Sequence, residues 1–278
     1  MVSQLYMTMN DGYKIPVVGL GTWKSEPGET TYKAVLDSIN TGYRHIDTAR
    51  AYDNESDVGR AVKDSETGRK ELFITTKLWN KHQGYDEAIE ACEKSLARLG
   101  CDYIDLYLIH WPLKGKRNDS WKALIELQQR GLCRSIGVSN FTIDNLVELE
   151  EKFDILPVVN QVEFHPYYYQ KELLEYCNSK NIIIEAYSPL VHAKRMDEAR
   201  LVSISKEMSK TPAQILIRWA IQRGMVALPK SVNEGRIIEN FSVFDFEISD
   251  SLMKRLDDLN ELFVTCWDPH NPPSYAPV

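Results

Sequence analysis

Four residues of different chemistry in the first 110 positions together suit proton transfer: Asp47, Tyr52, Lys77 and His110. A phenol titrates at about pH 10 in reference peptides, so at neutral pH it is a poor acid unless a neighbouring group favours its anion. An ammonium favours the anion by charge and hydrogen bonding, and a carboxylate can hold that ammonium in place. A histidine can orient a carbonyl group by donating a hydrogen bond. The set therefore suits protonation of a developing alkoxide, with Tyr52 as the proton donor.

Each of these residues also has an ordinary structural interpretation. Asp47 could cap a helix, Tyr52 could be a loop aromatic, and Lys77 could be a solvated strand end. His110 could be a hydrogen-bonded core histidine. A single match misleads easily, but four such groups at separate strand ends favour the catalytic interpretation.

The elements that position these residues alternate regularly. Short apolar runs are separated by stretches of helical period, which predicts βαβ units and a parallel sheet. Eight runs predict a closed (β/α)8 TIM barrel of the α/β class. The runs are Val17–Trp23, His45–Ala49, Leu72–Trp79, Ile104–Trp111, Ser135–Asn140, Val158–Phe164, Ile182–Ser188 and Met225–Ser231.

An N-terminal hairpin is predicted before the first run, because Leu5–Met9 and Lys14–Pro16 flank the turn signal Asn10-Asp11-Gly12. Apolar residues on one face predict helices, and Thr211-Pro212 is expected to start the second of two helices between Met196 and Gln222. An extra C-terminal helix should be capped by Ser249, followed by an irregular tail. No linker interrupts residues 1–278, so one domain is expected. The remaining helical ranges and the tail are Tyr85–Leu99, Asp144–Glu151, Gln170–Ser179, Ser249–Asn260 and Phe263–Val278.

The carboxyl ends of the strands meet at one mouth of such a barrel, where the active site is expected. Polar residues lie at the ends of seven runs, so the functional groups should converge there. Trp23, Trp79, Trp111 and Trp267 are equally compatible with core aromatics and with a hydrophobic substrate pocket.

Composition excludes several classes of protein. The 278 residues fit one barrel, and a net charge of −7 gives no reason to expect a nucleic-acid or membrane partner. Five widely spaced cysteines predict free thiols rather than a disulfide framework or a zinc site. No secretory signal and no apolar stretch of roughly 18 residues occurs, so a cytoplasmic location is expected.

Two motif searches are negative. Gly19-Leu20-Gly21 begins like a dinucleotide fingerprint, but Lys24 occupies the position of its third glycine, and a tight strand–loop turn explains the pair better. No spacing of histidines, acids and cysteines matches a metal site, so metal binding is not expected.

Five ordered segments carry a family resemblance. The chain resembles the aldo-keto reductase family over nearly its whole length. Ser188-Pro189-Leu190 leads at once into Val191–Arg195 and a helix, so the long loop that folds over the pyrophosphate in the larger animal members is absent or cut short. The chain therefore looks more like compact members such as glyoxal or methylglyoxal reductases, diketogluconate reductases and some prostaglandin F synthases. The segments are Gly42–Ala49 with Tyr52 and Asn54-Glu55, Tyr103–Pro112, Gly137–Phe141, Asn160–Pro166, and Leu228–Ser231 with Arg236, Glu239 and Asn240.

The resemblance implies an NADPH-dependent enzyme that reduces aldehydes and ketones to alcohols, with Asp47, Tyr52, Lys77 and His110 as its catalytic tetrad. The implied substrate contacts are Trp23, Tyr52, Trp79, His110 and Trp111. Ser139, Asn140 and Gln161 would bind the nicotinamide carboxamide, and Tyr187 would stack on its ring. Lys230, Ser231 and Arg236 would meet the 2′-phosphate, and Glu239 and Asn240 the adenine. The other implied cofactor contacts are Gly21, Thr22, Trp23, Asp47, Ser188, Leu190 and Val232.

Some alternatives stay open. Without the resemblance, Lys230 and Arg236 would be a solvated pair of charges. The expected substrate is a small-molecule carbonyl, either an aldehyde with an apolar or aromatic body or a small dicarbonyl. The segments expected to determine its specificity are Trp23–Glu29, Leu113–Asp119 and Phe263–Val278. A non-catalytic NADPH-binding regulatory or structural barrel, and a phosphate-handling isomerase or aldolase, are the other functions to consider. A monomer is the family expectation.

Overall fold

A computed structural model of the chain describes residues 4–266. Its main sheet has eight parallel strands that are neighbours in chain order. A two-stranded antiparallel hairpin, β1 (Tyr6–Thr8) and β2 (Lys14–Pro16), precedes it as predicted. The parallel strands are β3 (Leu20–Gly21), β4 (His45–Asp47), β5 (Phe73–Leu78), β6 (Ile104–Ile109), β7 (Cys133–Ser139), β8 (Val159–Glu163), β9 (Ile183–Tyr187) and β10 (Val226–Leu228).

Backbone hydrogen bonds between the first and last strands close the sheet into a barrel. The Gly19 amide donates to the Ala227 carbonyl at 2.9 Å, the Ala227 amide to Val17 at 2.9 Å, and the Gly21 amide to Pro229 at 3.0 Å. The predicted (β/α)8 barrel is confirmed. The strands that meet at this closure are shorter than predicted, because their flanking residues make only isolated bonds to one another.

Helices follow the strands and surround the barrel. Two of them, α7 and α8, connect β9 to β10, and α10 is the predicted extra C-terminal helix. The bounds are α1 (Glu29–Thr41), α2 (Glu55–Asp64), α3 (Asp86–Leu99), α4 (Arg117–Gln129), α5 (Ile143–Lys152), α6 (Lys171–Ser179), α7 (Ala199–Met208), α8 (Pro212–Gln222), α9 (Glu234–Phe241) and α10 (Asp250–Asp257).

Two predicted helix starts have different outcomes. Thr211 forms a reciprocal capping box with Gln214 at the start of α8, with Pro212 as the first helical residue. Ser249 occupies the position before α10, but its side chain makes no capping bond, so the predicted cap is wrong. Its hydroxyl instead lies 3.1 Å from the Ser251 hydroxyl.

The two ends of the barrel differ in chemistry. The hairpin covers the amino-terminal end, where Ile15 and Met9 pack against strand residues such as Leu106 and Leu108. Apolar side chains fill this end, while polar side chains fill the carboxyl end. No helix within residues 4–266 is long and apolar enough to cross a membrane. Of the predicted tail, Phe263–Cys266 is described and lacks regular secondary structure, whereas Trp267 and the rest lie outside the described residues.

Candidate active site

A buried ion pair forms the base of the polar end. Lys77 on β5 is wholly buried, and its ammonium donates to the Asp47 oxygens at 2.7 and 2.8 Å and to the Thr48 carbonyl at 2.8 Å. These contacts use all three N–H groups of the lysine. Burial raises the pKa of the Asp47 carboxyl, and the charge of Lys77 opposes that shift. The two-oxygen contact holds Asp47 as the carboxylate partner of Lys77.

Tyr52 lies beside this ion pair, in a short turn that follows β4. The Lys77 ammonium is 5.1 Å from the centroid of its ring. Burial, and then the charge of Asp47, raises the pKa of the Tyr52 phenol well above its ordinary value. The charge of Lys77 favours the phenolate, but the Asp47 carboxylate that it contacts offsets this effect. Tyr52 therefore keeps its proton at neutral pH.

His110 completes the predicted tetrad. It follows β6, and its ring meets the Tyr52 ring edge-on at a centroid distance of 5.8 Å. Burial, and then the charge of Lys77, holds the pKa of His110 well below its ordinary value. The neutral imidazole can donate one hydrogen bond. The structure brings all four predicted catalytic residues together.

Aromatic rings surround this group. Trp79 contacts the His110 ring at 5.0 Å, and both Trp79 and Trp111 are buried. Trp23 is 37% exposed and lies against the His192 ring at 5.3 Å, so it joins the loops after β3 and β9. The predicted substrate contacts thus form the wall and rim of one mouth.

The residues predicted to hold the nicotinamide form a hydrogen-bonded set next to the tetrad. The Tyr187 hydroxyl donates to Asn140 Oδ1 at 2.8 Å, and Asn140 Nδ2 donates to the His110 carbonyl at 3.0 Å. The Ser139 hydroxyl donates to the Gln161 carbonyl at 2.8 Å, and Gln161 Nε2 donates to Asp47 Oδ2 at 2.8 Å. The ends of β7, β8 and β9 therefore place the side-chain amides of Asn140 and Gln161 and the ring of Tyr187 on one surface.

The residues predicted to meet the 2′-phosphate lie around the start of α9. Asn233 caps this helix by accepting from the Arg236 amide at 3.0 Å, and the Ser231 hydroxyl lies beside Asn233. Lys230 and Arg236 are exposed, and neither forms an ion pair with any residue from 4 to 266. Unpaired cations beside a helix N-terminus suit a phosphate. The other predicted contacts here are Val232, Glu239 and Asn240.

Gly21 and Thr22 shape the loop after β3. A side chain at Gly21 would lie 3.3 Å from the Leu228 carbonyl, so glycine allows the close approach of β3 to the chain after β10. The Thr22 hydroxyl donates to the Asp47 carbonyl at 3.0 Å. Asn54, whose role sequence reasoning missed, receives the Thr48 hydroxyl at 2.7 Å and donates to the Thr22 carbonyl at 3.0 Å. Asn54 thereby ties two mouth loops together.

Gly19 has a different role from the predicted turn. A side chain there would lie 2.7 Å from His45 Nδ1, inside the barrel. That separation is shorter than any allowed contact, so glycine is required for packing against the wholly buried His45.

The connection after β9 is short, as expected, and its backbone is unusual. Ser188, Val191, His192 and Ala193 have φ of 50°, 52°, 50° and 61°. Such left-handed conformations are costly for residues with a side chain, and for the β-branched Val191 most of all. The Ser188 hydroxyl lies 2.9 Å from His192 Nε2, and Leu190 precedes the turn. Leu190 and Ser188 thus flank a compact turn at the mouth.

Sequence reasoning missed two buried carboxyl groups. Glu163 at the end of β8 accepts from the amides of Thr265 and Cys266 at 2.7 and 2.9 Å, which holds these two residues at the mouth. Glu185 on β9 lies inside the barrel and accepts from Gln161. For Glu185 the available signal was a charged residue between the apolar residues Ile184 and Ala186.

Comparison with known proteins agrees with this geometry. A family model described as the Aldo/keto reductase family matches residues 17–261. The chain belongs to the aldo/keto reductase family. Glyoxal reductase of Bacillus subtilis is 48% identical over 253 residues, 91% of this chain and 92% of that protein. A 9,11-endoperoxide prostaglandin H2 reductase of Trypanosoma cruzi is 46% identical over 268 residues, 95% of each chain.

Solved aldo-keto reductases share the fold. The structure of a Bombyx mori aldo-keto reductase in complex with NADP has a TM-score of 0.90 and 36% identity, and covers 98% of this chain and 97% of that one. Within residues 4–266 of this aldo/keto reductase, no group of three or more histidine, cysteine or acidic residues could hold a metal ion.

Proposed function

We propose that this aldo/keto reductase reduces aldehydes and ketones to alcohols with NADPH, and that Tyr52 is the proton donor. The observation that carries the proposal is the buried Lys77–Asp47 ion pair, which lies beside the Tyr52 phenol and the His110 imidazole. The relative that is a glyoxal reductase and the neighbour in complex with NADP support it.

The residues act on the carbonyl oxygen. When bound, NADPH supplies the hydride that reduces the carbonyl carbon. His110 donates a hydrogen bond that orients the carbonyl, and Tyr52 transfers its proton to the oxygen as negative charge develops there. Lys77, 5.1 Å from the Tyr52 ring centroid, stabilises the phenolate that remains. The product is the alcohol, and Tyr52 regains its proton from solvent.

The polar set at the mouth fits the cofactor. Ser139, Asn140 and Gln161 offer amide and hydroxyl groups to a carboxamide, and the Tyr187 ring offers a stacking surface. The unpaired Lys230 and Arg236 at the start of α9, with Ser231, favour a dianionic 2′-phosphate and hence NADPH over NADH. The remaining contacts that we assign to the cofactor are Gly21, Thr22, Trp23, Asp47, Ser188, Leu190, Val232, Glu239 and Asn240.

The substrate is a small aldehyde, dicarbonyl or aromatic aldehyde. Trp23, Trp79 and Trp111 give the mouth flat apolar walls, which favour a compact or aromatic body next to the carbonyl. We also propose that the chain is one cytoplasmic domain that acts as a monomer.

The test is the loss of NADPH absorbance with methylglyoxal, a nitrobenzaldehyde, an aldose, a keto-sugar acid and a prostaglandin endoperoxide. We expect Tyr52→Phe to lower turnover by at least about 100-fold, because general acid catalysis contributes that much. NADPH binding should stay within about twofold, since the phenyl ring keeps its volume. Turnover with NADH should be slower for the wild type.

Tyr13→Phe is the matched control, because Tyr13 is an exposed tyrosine of the hairpin at the opposite end of the barrel. It should behave as the wild type. Undiminished turnover in Tyr52→Phe would contradict the mechanism. Tight NADPH binding without turnover of any carbonyl would favour the non-catalytic function, and turnover without nicotinamide would favour an isomerase or aldolase.

A further inference from the structure

The side-chain amide of Gln161 lies between two carboxyl groups. Its Nε2 atom donates to Asp47 Oδ2 at 2.8 Å and to Glu185 Oε2 at 2.5 Å. A primary amide has two N–H groups, and both are used here. The amide oxygen makes no hydrogen bond to any residue from 4 to 266, so it is the polar atom left for a ligand.

Among residues 4–266, Glu185 has no lysine or arginine partner of its own. It is wholly buried on β9, directly opposite Gln161 in the β8–β9 register. The ammonium of Lys77 acts on Glu185 by charge, but its three N–H groups are donated to Asp47 and Thr48. His45 Nε2 lies 3.5 Å from Glu185 Oε1, but burial lowers the pKa of His45 to about 3. This histidine is therefore neutral and supplies no positive charge to Glu185.

The protonation state of Glu185 therefore depends on the charged and titratable groups that face it. Asp47 and His45 face it from β4, Lys77 from β5 and Tyr52 from the turn after β4. Asp47 and Lys77 cancel, so a second carboxylate would leave an uncompensated negative charge inside the barrel, which is costly. Burial, and then the charge of Asp47, raises the pKa of Glu185 to about 8.

We propose that Glu185, in its neutral form, is a positioning residue that fixes the orientation of the Gln161 amide for the cofactor. Resting on the proposed function, the inference is that Asp47 and Glu185 together hold the Gln161 nitrogen, so that its oxygen faces the nicotinamide carboxamide as an acceptor. The same neutral form keeps the barrel interior free of net charge beside Tyr52.

Ionisation of Glu185 has an electrostatic consequence for cofactor binding. When pH rises through the titration of Glu185, its proton leaves to solvent and a negative charge appears behind Gln161. Oxidised nicotinamide is a cation, whereas the reduced ring is neutral. Ionised Glu185 therefore favours NADP⁺ relative to NADPH, and neutral Glu185 does not.

The experiment measures the dissociation constants of NADP⁺ and NADPH, without a carbonyl, from pH 6.5 to 9.5 by quenching of tryptophan fluorescence. The ratio of the two constants is the readout, because contacts of Lys230, Ser231 and Arg236 to the shared phosphate cancel in it. For the wild type, the ratio of NADP⁺ to NADPH constants should fall by about three- to tenfold as Glu185 ionises. In Glu185→Gln, which cannot ionise, the ratio should stay flat.

Glu185→Leu tests the hydrogen bond itself. It removes the acceptor and frees the Gln161 amide, so both cofactors should bind about five- to tenfold more weakly at every pH. Glu55→Gln is the control, because Glu55 is a buried carboxylate that pairs with Arg98 and the Thr76 hydroxyl, outside the site. It should keep the wild-type pH dependence.

Several outcomes would overturn the inference. A flat wild-type ratio would do so without any variant, even if both Glu185 variants failed to fold. A Glu185→Gln ratio that still falls with pH would also do so, as would a Glu185→Leu protein with unchanged affinities. Failure of the proposed function is a separate result, namely NADPH binding with no carbonyl turnover in the wild type.

Discussion

Lys77 and Asp47 illustrate how a single buried pair serves both folding and chemistry. Neither side chain contacts bulk water to any extent, since Lys77 is 0% and Asp47 3% exposed. Their mutual contact compensates for the loss of hydration. Each residue is therefore needed by the other before either can serve Tyr52.

We predict that Lys77→Met destabilises the protein by about 3–5 kcal/mol, because it leaves the Asp47 carboxylate buried without a cation. Urea unfolding followed by circular dichroism measures the change. The double variant Asp47→Asn with Lys77→Met removes both charges and should recover much of the stability, though not the activity. Equal loss in the single and double variants would argue against the charge as the cause.

Residue types at strand ends were enough to predict the tetrad, because barrel topology brings those ends together. Glu185 and Asn54 could not be assigned in this way. Their roles depend on partners across the barrel or in another loop, Gln161 for Glu185 and Thr22 for Asn54. The sequence identifies the side chain at such a position, but it does not identify the residues that contact this side chain in the fold.

At the scale of elements, helix ends depend on local hydrogen bonds that can be tested singly. Thr211→Ala removes a capping box and should cost about 1 kcal/mol. Ser249→Ala removes a hydroxyl that makes no cap, so it should change stability by less than about 0.5 kcal/mol. Thermal unfolding of the two variants checks the difference, and equal losses would refute the assignment of the caps.

The helices that were predicted from apolar period agree with the structure to within a few residues, because this period shows which face of a helix is buried. These are α3, α5, α6, α7, α8 and α10, whereas no bounds were predicted for α1, α2, α4 and α9. The first and last strands were overestimated for a physical reason. Val17–Trp23 and Met225–Ser231 are apolar along most of their length, but strand length follows from pairing. The pairing of β3 ends at Gly21 opposite Asp47, and that of β10 ends at Leu228 opposite Tyr187, so the predicted runs extend past the paired residues.

Across the whole molecule, the barrel separates stability from chemistry. The hairpin with Ile15 seals the apolar end, while the ion pair, the aromatic rim and the α9 cations occupy the other. The count of eight strands predicted the barrel. The sealing role of the hairpin could not be predicted, because nothing local indicates which end of the barrel it meets.

The closure between β3 and β10 has a consequence for the timescale of local opening. A two-residue strand and a three-residue strand meet there, so few hydrogen bonds must break for the seam to part. We predict that the amide hydrogens of Gly19, Gly21 and Ala227 exchange with deuterium sooner than those of the central strands β5 and β6. Exchange at equal rates would contradict this prediction. The chain runs from β10 directly to Lys230. A phosphate bound by Lys230 would therefore stabilise the closure between β3 and β10 and slow the hydrogen exchange of Gly19, Gly21 and Ala227.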